Sequence, residues 1–128
     1  MRILVTGIAG FAGFNISNSL LKYSNKLQIF GLDNFSRNGS EQNVSRLVEM
    51  GINLFRGDIR SQADIDHLPQ VDWVIDCAAN PSVLAGLDGQ SSSRQLMEHN
   101  LLGTINLLEY CKKNKAGLIL LSTSRVYS

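Results

Sequence analysis

Short apolar runs alternate along the chain with longer stretches in which apolar residues recur every three or four positions. Arg2 to Thr6 (RILVT), rich in Ile, Leu and Val, predicts a buried strand. A glycine turn leads into helical periodicity from about Phe11 to Tyr23, with Ile16, Leu20 and Leu21 on one face. Leu27 to Asp33 (LQIFGLD) predicts a second strand, weakened in its middle by Gly31. The polar stretch NFSRNGSEQN precedes a helix from about Gln42 to Met50 carrying Val44, Leu47 and Val48, and Gly51 stands where a C-cap belongs. Asn53 to Arg56 predicts a short third strand. Ser61 to Leu68 holds a helical turn, with Ser61 as N-cap and Pro69 behind it. Val71 to Cys77 (VDWVIDC) predicts a fourth strand, followed by the loop AANPSVLAGLDGQSSS. Arg94 to Asn114 then predicts a long helix with an apolar stripe of Leu96, Leu101, Ile105, Leu108 and Cys111, and Gly117 to Ser122 a fifth strand. Uninterrupted apolar strands alternating with helices imply an α/β fold, a parallel sheet covered on both faces. Right-handed crossovers favour a doubly wound sheet in the order 3-2-1-4-5, with the chain ending just past the fifth strand.

Composition narrows the possible partners. A length of 128 residues suits one domain, 1–128, with no internal repeat or linker. Twelve Lys plus Arg against eleven Asp plus Glu leave a net charge of +1, which offers no bulk attraction for nucleic acid or anionic lipid. No apolar run approaches the roughly 20 residues of a membrane span, and the glycines near the N-terminus interrupt any signal-peptide core. Cys77 and Cys111 make no disulfide scaffold, and His67 and His99 have no partners at metal spacing, so no metal site is expected. The expectation is a single cytoplasmic unit.

The glycines carry the first chemical signal. Gly7, Gly10 and Gly13 stand in T-G-I-A-G-F-A-G between the first strand and the first helix. Their place, more than their spacing, gives the motif its value. Gly7 permits the tight turn, Gly10 lets the backbone approach a pyrophosphate, and Gly13 lets the helix lie close on the sheet; the phosphates would face the helix N-terminus. Sterics of the turn alone are the competing reading. Asp33 ends the second strand twenty residues after Gly13, where an acid bonds the hydroxyls of an adenosine ribose. A carboxylate there repels the extra phosphate of NADP and favours NAD. Arg37 keeps NADP in view, and Asp33 as a mere turn-former is the alternative to ribose binding.

Six segments together are similar to one family. T-G-I-A-G-F-A-G, D-N-F-S-R, G-D-I, C-A-A-N, H-N-L-L-G-T-I-N-L-L-E and S-T-S-R-V-Y occur in the order and spacing of the NAD-dependent epimerase/dehydratase family, the extended short-chain dehydrogenases that act on nucleotide sugars. The resemblance covers the whole chain and implies a Rossmann-type fold with NAD as cofactor. D-N-F-S-R-N-G and S-T-S-R-V-Y-S look most like its CDP-paratose (CDP-tyvelose) 2-epimerase branch, which implies a CDP-sugar among nucleotide-diphosphate sugars. It further implies that Phe11 and Ala12 flank the pyrophosphate and that Asp33, Asn34, Ser36 and Arg37 surround the ribose. Asp58 and Ile59 would meet the adenine, the aspartate through the exocyclic amine. Ala78, Ala79 and Asn80 would pass close to the cofactor, and Asn100 would bond a backbone group near the active site. Two departures stand out: Asp76 lies where many relatives carry His, and Ser128 replaces the usual Gly after Val-Tyr.

Catalysis in that family uses a strand-end Ser or Thr and a Tyr-x-x-x-Lys pair. The resemblance assigns the hydroxyl to Thr123, with Ser122 and Ser124 as alternatives. Tyr23 is followed four residues on by Leu27, Tyr110 by Asn114, and Tyr127 stands second from last, so these 128 residues hold no such pair. The expectation is therefore the N-terminal portion of a larger isomerase, inactive alone and lacking the substrate lobe. A dehydratase or reductase of the same family, or a non-catalytic NAD-binding sensor, are the rival readings. The helix 94–114 is a candidate homodimer contact.

Overall fold

The computed structural model describes residues 1–78 and 93–121. Along the chain run β1 (Arg2–Thr6), α1 (Phe11–Tyr23), β2 (Gln28–Asp33), α2 (Glu41–Glu49), β3 (Asn53–Arg56), α3 (Gln62–Asp66) and β4 (Trp73–Asp76). They are followed by α4 (Ser93–Met97), a π-helical stretch (Glu98–Leu102), α5 (Gly103–Asn114) and β5 (Gly117–Leu120). The strands form one parallel sheet in the order β3-β2-β1-β4-β5, the doubly wound Rossmann-type arrangement expected from the sequence.

Alternation within each strand divides the core in two, because successive side chains leave opposite faces of a sheet. Ile3, Val5, Ile29 and Ile75 face α1 and α2 and pack with Ile8, Phe14 and Leu47. Leu4, Phe30, Leu32 and Val74 face α3 and α5 and pack with Ile65, Leu107, Tyr110 and Cys111. β1 contributes to both layers, with Leu4 and Val5 fully excluded from solvent, which is why so short a run holds the centre of the sheet. α2 stops as predicted: Gly51 adopts φ +81°, and the N–H groups of Gly51 and Ile52 bond back to Val48 and Leu47.

The long helix departs from expectation. Leu101, Ile105 and Leu108 are 58, 46 and 50% exposed, and of the predicted stripe Cys111 is buried while the side chain of Leu96 lies outside what is described. The face turned to the sheet is Gly103, Asn106, Leu107, Tyr110 and Cys111. Both sets hold residues three and four apart, although Leu96 stands five before Leu101. Gly103 marks the chosen face: a Cβ there would lie 2.3 Å from Ile59 Cδ1, so a larger residue would require the Ile59 side chain to shift. Ser122, the predicted end of the fifth strand, lies outside the described residues. No helix among the described residues is long and apolar enough to cross a membrane.

Candidate functional site

The order of the sheet reverses at β1, so the connections leaving β1 and β4 diverge to opposite faces and open a crevice at the carboxyl ends of the strands. A cleft of about 370 Å³ lies there, lined from the ends of β1, β2, β3 and β4. Gly7 and Gly10 form its floor with Cys77 and Ala78, Asp33, Asn34, Ser36 and Arg37 one wall, and Asp58, Ile59 and Arg60 the far end.

Sterics fix the glycine turn. Gly7 has φ +61°, and a Cβ on it would stand 2.5 Å from the Cys77 carbonyl oxygen. A Cβ on Gly13 would come 2.4 Å from the carbonyl oxygen of Gly7, so its role is to let the first turn of α1 fold back on the preceding loop. Gly10 meets only one neighbour at 3.3 Å; its missing side chain leaves room in the cleft instead. Gly10 is the N-cap of α1, which has no side-chain cap and no acid in its first turn. The first N–H groups of a helix have no partner within it, so this end offers donors and partial positive charge to an anion.

Asp33 is tied to that turn. Its carboxylate accepts the Ala9 N–H at Oδ2 and the Phe35 N–H at Oδ1, both at 2.9 Å. The turn-forming reading and the binding reading thus coexist: two backbone donors orient a carboxylate that lines the cleft and has acceptor capacity beyond those two bonds. Phe35, whose N–H is one of those donors, adopts φ +55°, a strained conformation for a non-glycine residue. Asn34 accepts the Ser36 N–H at 3.0 Å, while Ser36 and Arg37 are exposed on the rim. Across the cleft the Asp58 N–H donates to Asp64 Oδ2 at 2.9 Å, and Asp58 forms an ion pair with Arg60 at 2.6 Å. That pair and the nearby Glu98 hold the Arg60 guanidinium above its ordinary pKa against a smaller opposing effect of burial. The buried Asn106 amide donates to the Ile59 carbonyl at 2.9 Å.

At the end of β4, buried Asp76 accepts the Thr6 hydroxyl at 2.5 Å and the Ala78 N–H at 3.1 Å, and Cys77 N–H donates to Thr6 Oγ1 at 3.2 Å. Asp76 and Thr6 therefore stitch the ends of β1 and β4 together. Burial pushes the Cys77 thiol up to about 11, with the Asp76 charge adding to the effect.

Of the residues singled out in the sequence, Gly7, Gly10, Asp33, Asn34, Ser36, Arg37, Asp58, Ile59 and Ala78 meet at one cleft. Phe11 is exposed at the first turn of α1, Ala12 is half-buried and Gly13 buried behind it; none of the three lines the cleft. Asn100 sits half-buried in the π-helical stretch and is not among the lining residues, with its carbonyl accepting the Thr104 hydroxyl at 2.6 Å. Ala79, Asn80 and Thr123 lie outside the described residues. Sequence reasoning missed Arg60, Asn106 and Asn43, whose amide donates to the Ala9 carbonyl at 2.8 Å and braces the glycine turn. The partners of Asn43 and Asn106 lie 34 and 47 residues away and leave no trace in local pattern, while Arg60 pairs with Asp58 two residues before it.

A model of the NAD dependent epimerase/dehydratase family matches residues 3–128. The chain is 31% identical over 133 residues to CDP-paratose 2-epimerase of Salmonella typhi, which spans 99% of this chain and 38% of that protein. A dTDP-glucose 4,6-dehydratase of Mycolicibacterium smegmatis is likewise 31% identical, over 128 residues, with the same 99% and 38% coverage. The solved structure of UDP-glucose 4-epimerase from Thermus thermophilus in complex with NAD superposes with a TM-score of 0.76 at 35% identity, covering 96% of this chain and 38% of that one. The chain therefore spans 38% of the length of these relatives.

Proposed function

Because this chain belongs to the NAD-dependent epimerase/dehydratase family, we propose that it is the cofactor-holding portion of a nucleotide-sugar epimerase that binds NAD in the cleft at the carboxyl end of the sheet. The observation that carries this reading is the Asp33 carboxylate, fixed by the Ala9 and Phe35 N–H groups beside the uncapped N-terminus of α1. The donor set fits the dinucleotide. Uncapped helix N–H groups suit a pyrophosphate, and a carboxylate suits ribose hydroxyls. Asp58 with the backbone of Ile59 suits the amine edge of adenine. Bound NAD would supply reversible hydride acceptance from a sugar carbon, with return to the opposite face inverting that carbon. Thr123 is assigned the hydrogen bond to the sugar hydroxyl being oxidised. A CDP-linked dideoxyhexose is the proposed substrate and the cytoplasm the proposed compartment, with the chain inactive without the remainder of the enzyme.

The equal identity to a dehydratase supports a second reading within the family, in which the same cleft serves a 4,6-dehydratase. The outward apolar residues of α4, the π stretch and α5 (Met97, Leu101, Ile105 and Leu108) support a homodimer through that helix.

Calorimetric titration tests the cofactor assignment. Asp33→Ala is expected to weaken NAD binding at least about tenfold, the worth of hydrogen bonds to a charged group, and to narrow the preference over NADP. Unchanged affinity would remove the ribose assignment. A product assay on the full-length enzyme with CDP- and dTDP-sugars separates epimerase from dehydratase.

A further inference from the structure

We infer that the Asn38-Gly39 pair is a site of covalent self-modification: the Gly39 nitrogen closes on the Asn38 side-chain amide, and the asparagine becomes aspartate or isoaspartate in the wall of the cleft. Asn38 is the one asparagine of eleven that is followed by glycine. Both residues are exposed in the turn that joins β2 to α2. Gly39 has φ +87°, and a Cβ on it would meet nothing within 4 Å, so its nitrogen is approached through open space with no side chain of its own in the way. Its N–H has no hydrogen-bond partner among the described residues. Asn18, which precedes Ser19 inside α1, is the contrast, because the helical ladder engages the N–H that follows it.

The reaction loses ammonia and takes up water. Gly39 N gives its proton to solvent and bonds to Asn38 Cγ, the Cγ–Nδ2 bond breaks, and ammonia leaves with a proton. Water then opens the cyclic imide. Cleavage at Cγ gives aspartate; cleavage at the main-chain carbonyl carbon gives isoaspartate, whose backbone runs through the former side chain. Nothing is oxidised or reduced.

The consequence for binding rests on the reading that the cleft holds NAD. Ser36 and Arg37 line it before the pair and Ser40 after it. Buried Ser40 bonds the Arg37 carbonyl twice, through its N–H at 3.2 Å and its Oγ at 2.8 Å, so the turn is closed across Asn38 and Gly39. Isoaspartate adds a backbone atom inside that closure and displaces Ser40 from Arg37. The displacement reaches the start of α2, where the Asn43 amide braces the Ala9 carbonyl at 2.8 Å. Aspartate keeps the backbone path and only adds a negative charge at an exposed rim, where salt screens it.

Peptide mapping by mass spectrometry, on the chain aged in mildly alkaline buffer, reads the exchange of amide for acid; methylation by a protein isoaspartate methyltransferase reads the isoaspartate. Asn38 is expected to convert at least about fivefold faster than Asn18, whose neighbour must first release a helical hydrogen bond. Equal rates at the two positions, or an Asn38 that stays intact while Asn18 converts, would overturn the assignment. Calorimetric titration should show the isoaspartate-containing chain binding NAD at least about threefold more weakly, with Asn38→Asp within about twofold of the fresh chain. Asn38→Gln, whose longer side chain closes a ring far more slowly, should keep the fresh affinity through the same ageing. An aged chain of full affinity, or an Asn38→Gln chain that weakens in step with wild type, would overturn the effect on binding. A fresh chain that binds no NAD would overturn the cofactor reading, on which the mass change does not depend. Fresh Asn38 variants, altered only at an exposed turn, should melt with wild type, which separates lost binding from unfolding.

Discussion

Ser17 lies on the buried face of α1, fully excluded from water, and its hydroxyl has no hydrogen-bond partner among the described residues. A buried, unpaired hydroxyl costs free energy that a methyl group does not, so Ser17→Ala should stabilise the fold by about 1 kcal/mol in urea titrations. The glycines of the turn separate into two roles by the same reasoning. Gly13→Ala drives a methyl group into backbone at 2.4 Å and should destabilise by about 3 kcal/mol. Gly10→Ala meets a single contact at 3.3 Å and should change stability by less than about 1 kcal/mol. Its methyl group would stand in the cleft, however, and NAD titration should show affinity falling at least about tenfold. Equal losses of stability in the two variants would contradict that division. The sequence motif announced three glycines with three duties; that Gly7 and Gly13 are fixed by nearby backbone while Gly10 has room required the carbonyl positions.

The end of α5 shows a local choice opposed by the backbone. Lys115 adopts φ +54° and ψ +37°, and the Ala116 N–H closes the helix on the Cys111 carbonyl at 2.9 Å. A side chain in the left-handed region costs roughly 1 kcal/mol, so Lys115→Gly should raise the melting midpoint without altering NAD binding. The elements themselves were legible to within a few residues, because each strand centres on a short apolar run and α2 ends at a glycine. The face of the last helix was not. Two stripes at helical spacing compete there, and the chosen face is marked by Gly103 meeting Ile59, a contact between residues far apart in the chain. Asp33 could be read from its place at the end of a strand and Asp58 only through the family resemblance, whereas Asn43, Arg60 and Asn106 act on backbone or carboxylate groups that no periodicity identifies. The outward stripe gives its own test. Ile105→Lys should leave monomer stability nearly unchanged, and sedimentation should show loss of a dimer where one forms.

For the molecule as a whole, alkaline pH acts on acids that burial holds protonated, among them half-buried Cys77 and buried Tyr110. Cys77 is pushed up to about 11 by burial and the Asp76 charge, and Tyr110 to about 12 by burial, with the Cys111 thiol adding and Arg2 opposing. Each holds its proton in the folded chain over a range where the unfolded chain has released it. The unfolded state then binds fewer protons, so stability falls as pH rises, beginning near 9 and continuing to about 12. Thermal melts from pH 7 to 11 should show the decline. Tyr110→Phe should flatten its upper part while lowering stability at neutral pH, because the phenol donates to the Pro69 carbonyl. At neutral pH Cys77 remains a thiol, so iodoacetamide should modify it slowly. The doubly wound order also governs how the chain comes together. β1 is made first and lies at the centre, and its pairing with β4 joins Ile3 to Trp73, 70 residues later. At a synthesis rate of 5–20 residues per second, the leading strand waits roughly 4 to 14 s for one of its two neighbours. During that interval an apolar strand has one edge unpaired, and the nascent chain depends on β2 and α1 to shelter it.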